Sequence, residues 1–174
     1  MMNFPRLALL SGFAVLSAVA FSPKAQAQNA DIDFTGTIAV SCDINSATNG
    51  ELEPLGPNQL FADPDFSGTA GNVNVTCDNG TTFTVTSIAN NGGSVFNDIQ
   101  RITARVKDGN TQIAVGEVSP TGASVASPVG VAGPVQTGPI AAKDYGVTLH
   151  VNNFATALPA GTYNIRVNVA LTPQ

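Results

Sequence analysis

The sequence has few of the residues on which most protein chemistry depends. Its 174 residues include one histidine, two cysteines and no tryptophan. A serine nucleophile needs a nearby base, and His150 lies between Leu149 and Val151 with no partner that we can identify. We interpret it as a solvated residue on the polar face of a strand. A metal site needs more ligands than one histidine and two cysteines supply. We therefore expect no enzymatic activity, no metal and no cofactor.

Positive charge is also scarce. Lys and Arg number seven against twelve Asp and Glu, and all charged residues together make up 11% of the chain. Arg6 and Lys24 lie in an N-terminal segment that we expect to be removed, which leaves five basic residues against twelve acidic ones. An acidic chain without a basic cluster binds nucleic acid and anionic membranes poorly. Neither is expected as a partner.

Apolar repeats of helical spacing and length are absent after residue 27. Short stretches instead alternate apolar and polar residues and are separated by Gly, Pro, Asn and Asp, a pattern that predicts strands and turns. The sequence predicts an antiparallel β-sandwich. We expect residues 43–70 and 119–139 to be loops with short edge strands, and Asp63-Pro64-Asp65 to be a solvated turn. The apolar positions of the predicted inner strands are Val73 and Val75, Phe83 and Val85, Ile102 to Val106, Ile113 and Val115, and Tyr145 to Val151.

The last alternating stretch follows Gly161. Tyr163, Ile165, Val167, Val169 and Leu171 occupy every second position, with polar residues between most of them. This predicts a strand with one apolar and one polar face. The sequence offers no later segment to pair with its far side, so we expect another segment to cover it.

A second long alternation lies near the other end, at Ala30, Ile32, Phe34, Gly36, Ile38 and Val40. Its eleven residues would span about 37 Å at about 3.4 Å per residue, whereas a usual strand has about five or six residues. Two interpretations remain open. Either the strand bends across both sheets, or its first half leaves its own domain.

The first 27 residues have the features of a signal peptide. Residues 1–6 carry one positive charge, residues 7–21 are apolar, and Ala25-Gln26-Ala27 matches a cleavage site. A transmembrane anchor would need about 20 apolar residues, and Pro23 and Lys24 end this run early. We expect cleavage before Gln28, export and no stable insertion into the membrane.

Cys42 and Cys77 are the only cysteines. Two cysteines in an exported chain are expected to form a disulfide; two buried free thiols are the alternative. Closing a loop of this length would stabilise the fold by roughly 3–4 kcal/mol.

Several of these features together resemble the subunits of chaperone–usher pili, namely the type 1 and P-pilus pilins and their relatives. Ile32-Asp-Phe34-Thr-Gly36-Thr-Ile38 precedes the first cysteine, and Cys77 closes the second strand. Gly161 is the fourteenth residue from the end. Two further stretches, Val73-Asn-Val-Thr-Cys77-Asp-Asn-Gly-Thr and Pro159-Ala-Gly-Thr-Tyr163, are similar to spore-coat-protein-U type subunits.

The resemblance implies an incomplete immunoglobulin-like sandwich of residues 41–174 that lacks its last strand. It implies that residues 28–40, here called the donor segment, run into the first strand and complete a neighbouring subunit through Ala30, Ile32, Phe34, Gly36 and Ile38. It also implies that a periplasmic chaperone first fills the groove and that an outer-membrane usher assembles the fimbrium on the cell surface, where it supports adhesion. The strand that would line the groove contains Gly161, Tyr163, Ile165, Val167, Val169 and Leu171.

A function of a different class also fits the sequence. The chain could be a monomeric secreted binding module, in which its own N-terminal strand completes the sheet. The two hypotheses differ in whether the donor segment leaves its own domain.

Overall fold

The structure is a computed structural model that describes residues 35–37 and 39–174. The predicted signal peptide, residues 1–27, lies outside the described residues, as does most of the donor segment. The chain divides into two units, Met1–Thr37 and Ile38–Gln174. In the first unit the described residues, 35–37, are exposed and have no regular structure.

The second unit is all-β, which confirms that part of the prediction. In the described residues the only helical element is one 3-10 turn, Phe96–Asp98. All paired strands are antiparallel. The strands are β1 (Cys42–Thr48), β2 (Glu53–Gly56), β3 (Gln59–Ala62), β4 (Gly71–Cys77), β5 (Thr81–Asn90), β6 (Arg101–Asp108), β7 (Thr111–Val118), β8 (Ile140–Asn152) and β9 (Ile165–Pro173).

The larger sheet is built around β8. One edge of β8 pairs with β4 and then with β3, while its other edge pairs with β6. β1 extends the sheet beyond β4, β2 extends it beyond β3, and β7 extends it beyond β6. Among the strands that the structure describes, β1 therefore has a single neighbour and is an edge strand.

The smaller sheet consists of β5 and β9. The other edge of β5 is hydrogen-bonded to a loop, because the N–H groups of Gly130 and Gly133 donate to the carbonyls of Val85 and Phe83 at 2.8 and 2.9 Å. β9 has β5 as its only partner strand among the described residues. Within these residues β9 is therefore an edge strand, as β1 is in the larger sheet.

The two sheets share one hydrophobic core, an arrangement consistent with a β-sandwich. Phe83 of β5 meets Tyr145 of β8 with ring centroids 4.5 Å apart. Val85, Ile102 and Val151 are fully buried. These are the alternating apolar positions of the predicted inner strands, so period-two alternation located the core correctly.

The predicted strands differ from the structure in two places. Gly161 and Tyr163 do not belong to a strand, because β9 begins at Ile165. A Cβ at position 161 would lie 2.4 Å from Val95 Cγ1, so the close packing of Val95 against the backbone leaves no room for a side chain there. The long N-terminal alternation is also not a strand where the structure describes it, at Thr35–Thr37 and Ala39–Ser41. The first strand, β1, begins only at Cys42, after that alternation has ended.

The turn Asp63-Pro64-Asp65 is not simply solvated. Asp63 is only 4% exposed, and Lys107 Nζ on β6 lies 2.8 Å from Asp63 Oδ2 and 2.9 Å from Asp65 Oδ2. Burial alone would lower the pKa of Lys107, but hydrogen bonds and attraction to both carboxylates outweigh it and raise that pKa. The ion pairs attach the loop after β3 to β6.

The expectation that His150 is a solvated surface residue is wrong. It does lie on the outer face of β8, but the ring of Phe61 covers it at a centroid distance of 4.1 Å. Its Nε2 is buried and has no hydrogen-bond partner among the described residues. Burial, with a smaller contribution from the charge of Arg105, lowers the pKa of His150 below 6.5.

This environment predicts acid sensitivity. The unfolded chain takes up a proton on His150 near pH 6.5, while the folded chain does so only at lower pH, so the free energy of unfolding should decrease as pH falls between the two pKa values. His150→Phe keeps the ring stack and removes the titrating group. Urea unfolding at about pH 7.5 and about pH 5.0 should show a smaller acid-induced loss for this variant. Equal losses in both proteins would contradict the prediction.

Candidate functional site

A groove lies between β1 and β9, the edge strands of the two sheets. Each has one partner strand among the described residues, β4 for β1 and β5 for β9. The groove has a volume of about 1020 Å³. Its lining includes the apolar residues Ile44, Ala47, Leu52, Ala62, Val73, Val147, Leu149, Tyr163, Ile165, Val167 and Val169.

The floor of the groove is the incompletely covered part of the core. On β5, the inward residues Phe83 and Val85 are 0% exposed. On the neighbouring β9, Ile165, Val167 and Val169 alternate inward in the same way and pack against the core, but they are only half-buried. The side of these three side chains that faces away from β5 lines the groove.

The β1 wall owes its apolar face to a bulge. Ile44 pairs with Val75 and Ala47 pairs with Val73, while the register shifts between Ile44 and Ser46. The extra residue, Asn45, lets the two apolar residues face the groove three positions apart. Ile44 is 49% exposed there, although its pairing partner Val75 is 0% exposed.

Hydrogen bonds on the outer face hold the bulge in place. Asn45 Nδ2 donates to Asn74 Oδ1 and to Thr76 Oγ1, both at 2.8 Å. Asn74 Nδ2 donates in turn to Asp144 Oδ1 at 2.6 Å. This ladder across β1, β4 and β8 fixes the position of an otherwise exposed edge strand.

The disulfide anchors the start of the same strand. Cys42 on β1 is bonded to Cys77 on β4, which confirms the predicted pairing. Cys77 is 2% exposed, whereas every residue of β1 after Cys42 is exposed. The covalent bond therefore joins the β1 wall to the buried core.

The outward positions of β9 form the polar rim of the groove. Arg166 donates a hydrogen bond to Asn91 Oδ1 in the loop after β5. Asn168 Nδ2 donates to Ser87 Oγ at 2.7 Å. Both contacts are to β5 or the loop that follows it, so they do not use the free edge of β9.

Tyr163 closes the end of the groove that precedes β9. Its hydroxyl donates to the carbonyl of Pro159 at 2.6 Å. Partial burial, and to a lesser degree the nearby charge of Asp98, raise the pKa of Tyr163. The phenol is therefore a neutral hydrogen-bond donor at physiological pH.

The structure brings together part of the predicted set. Tyr163, Ile165, Val167 and Val169 line the groove. Leu171 packs against the core beyond it, and Gly161 lies against Val95. Of the predicted donor residues, Gly36 is described and is exposed; Ala30, Ile32, Phe34 and Ile38 lie outside the described residues.

The sequence did not indicate the opposite wall. Ile44, Ala47 and Leu52 fall in a stretch that we expected to be largely loop. The bulge interrupts their alternation, so period-two analysis could not find them. The one available signal was proximity to Cys42, because a disulfide to a predicted core strand places the following residues beside that strand.

No group of three or more His, Cys, Asp or Glu side chains suited to a metal ion occurs in the described part of the chain. In the same residues, no helix is long and apolar enough to cross a membrane. Comparisons of the chain with protein-family models, with curated proteins and with solved structures found no match. The groove between β1 and β9 is the candidate functional site.

Proposed function

We propose that this chain is a structural, non-enzymatic subunit of a cell-surface pilus or fimbria that polymerises by inserting a strand into the groove of its neighbour. The observation that carries the proposal is the groove itself. It places a half-buried apolar strand, β9, opposite a second edge strand, β1. In the proposal the sandwich is immunoglobulin-like and lacks one strand.

A strand is the ligand that such a groove fits best. Edge strands present unpaired backbone N–H and C=O groups, which an added strand can satisfy. The apolar residues of β9 point into the groove at every second position, so they form pockets for alternate side chains of the incoming strand. A compact small molecule would leave most of these groups uncovered.

The donor segment supplies a suitable strand. Ile32, Phe34 and Ile38 fall on one face of an extended chain, and Gly36 on the same face would fit a narrow part of the groove. Burial of the three apolar side chains would contribute roughly 5–9 kcal/mol gross, at about 1.5–3 kcal/mol each. Ordering of the segment offsets part of this. Head-to-tail insertion does not close on itself, so it produces a filament.

The remaining elements of the proposal follow from export. The Cys42–Cys77 disulfide suits an oxidising compartment, in agreement with the predicted signal peptide. A subunit with an open apolar groove needs protection before assembly, so we propose a periplasmic chaperone as its first partner and an outer-membrane usher as its assembly site. Adhesion would be a property of the assembled fimbrium.

Deletion of residues 28–34 tests the proposal. These residues precede the second unit, so the truncated protein should fold and bind its chaperone but should form no polymer. Size-exclusion chromatography and electrophoresis under mild denaturation would report ladders for the full exported chain and a single species for the truncated one. If the truncated chain fails to fold, residues 28–34 complete their own domain. The monomeric binding module would then be the correct function.

A further inference from the structure

The two ends of the second unit differ in charge and in the strands that they contain. At one of them, here called the Cys42 end, Cys42 of β1 pairs with Cys77 of β4, and Thr81 of β5 pairs with Pro173 of β9. Residues 78–80 connect the two sheets there. At the opposite end, here called the Arg166 end, β1 finishes and β9 begins. The groove between β1 and β9 therefore lies along the direction that joins the two ends.

The Cys42 end carries an exposed carboxylate beside the residue that precedes β1. The backbone N–H of Asp78 donates to the carbonyl of Ser41 at 3.1 Å, and Ser41 Oγ donates to Asp78 Oδ2 at 2.6 Å. In the described part of the chain, no basic side chain lies within ion-pair distance of Asp78, because Lys143 at the same end is paired with Asp108. Residues 35–41 carry no charge. Asp78 is therefore an unpaired anion at the position where the donor segment joins the second unit.

The Arg166 end carries an exposed cation without a carboxylate. Arg166 is the second residue of β9, lines the groove and donates a hydrogen bond to the neutral side chain of Asn91. No Asp or Glu among the described residues lies within ion-pair distance of it, whereas Lys107 and Lys143 are both paired with aspartates. The charges of the two ends thus complement each other between copies.

Antiparallel insertion would bring these two ends together. All described strand pairs are antiparallel, so a donor segment added to β9 in the same way would run from the Cys42 end of the receiving copy to its Arg166 end. Ile38, the last apolar donor residue, would then reach the Arg166 end. Cys42 follows four residues later, at most about 14 Å away at about 3.4 Å per residue. The Cys42 end of the donating copy would therefore adjoin the Arg166 end of the receiving copy.

We propose that Arg166 of one copy binds the carboxylate of Asp78 of a second copy and thereby joins successive sandwiches end to end. The inference rests on the proposed function. The planar guanidinium suits a carboxylate, and the hydrogen bond from Ser41 uses only Oδ2 of Asp78. Without this contact, the uncharged residues 39–41 would be the flexible connection between an inserted strand and its own sandwich. The ion pair adds a second point of attachment and limits rotation about that connection.

A charge-swap cycle in the full-length exported chain tests this inference. Arg166→Glu and Asp78→Lys each replace attraction by repulsion, so each should speed the dissociation of polymers in mild denaturant. We expect about a fivefold effect at low salt, the upper range for exposed ion pairs. The double variant restores opposite charges and should recover most of the original rate. High salt should reduce all these differences.

Two further variants separate the ion pair from other effects. Asp78→Asn keeps an acceptor for Ser41 but removes the charge, so it should also speed dissociation, by less than Asp78→Lys. Arg105→Glu is the matched control, because Arg105 pairs with Thr148 and Val115 within the larger sheet and lies outside the groove lining. It should neither speed dissociation nor rescue Asp78→Lys.

The outcomes distinguish this inference from the proposed function. Unchanged dissociation of the Arg166→Glu polymer, or a double variant that dissociates no more slowly than the single ones, would overturn the ion pair while leaving strand insertion intact. Rescue of Asp78→Lys by Arg105→Glu would also overturn it, because the effect would then follow net charge alone. If the unaltered chain forms no polymer at all, the proposed function fails and this inference fails with it.

Discussion

A single charge at Val167 should abolish strand insertion. Val167 lies in the middle of β9 between Ile165 and Val169, is half-buried, and lines the groove. An inserted strand would cover the carboxylate of Val167→Asp and leave it without a partner. Burial of an unpaired polar group costs at least about 2 kcal/mol, so capture by the chaperone and polymer formation should each fall at least about thirtyfold.

Asn168→Asp provides the control for that variant. Asn168 is the adjacent residue on the same strand; it is exposed at the polar rim of the groove, and its side chain bonds to Ser87 of β5. It receives the same charge but should retain chaperone binding and ladder formation. Co-purification with the chaperone, together with circular dichroism of each subunit, would separate loss of binding from loss of folding. Normal co-purification of Val167→Asp would remove β9 from the mechanism.

Loss of the disulfide should have the second large effect. The bond closes a loop with a sequence separation of 35 residues, for which the chain-entropy estimate is about 3–4 kcal/mol. Little apolar burial supports β1 independently, since all its residues after Cys42 are exposed. The Cys42→Ser, Cys77→Ser double variant should therefore unfold at lower denaturant concentration and, while still folded, should bind an inserted strand more weakly.

The reference for this variant is the unaltered chain unfolded with and without a reductant. The double variant should match the reduced chain and be insensitive to reductant. Mass spectrometry after alkylation would give an independent check, because the exported protein should offer no free thiol. Two alkylated cysteines in the folded, exported protein would contradict the predicted bond in the cell.

The core and the inner strands could be predicted because alternation and burial coincide there. Phe83 and Val85 alternate in the sequence and are completely buried. Ile102 and Val106 on β6 behave in the same way. Each of these strands has neighbours on both edges or a covered face, so the period of the sequence determines which side chains enter the core.

The groove could be predicted only in part, because only one of its two walls has a sequence that alternates between apolar and polar residues. The β9 wall alternates, so Ile165, Val167 and Val169 were found. The β1 wall depends on a bulge at Asn45 and on long-range hydrogen bonds to Asn74, neither of which has a local sequence pattern.

The prediction for His150 was wrong for a related reason. Its cover, Phe61, comes from β3, which is about ninety residues away in sequence and is paired with β8 only in the fold.

The half-buried face of β9 also has a calorimetric consequence. Hydration of apolar surface dominates the heat capacity of unfolding, so a chain that leaves Ile165, Val167 and Val169 partly in water should have a smaller heat-capacity change than its length suggests. The proposed strand insertion would remove that surface from water and should carry a negative heat-capacity change of its own. Its enthalpy would then become more favourable on warming. In thermodynamic terms, the proposed assembly would be the last stage of folding, completed by a second molecule.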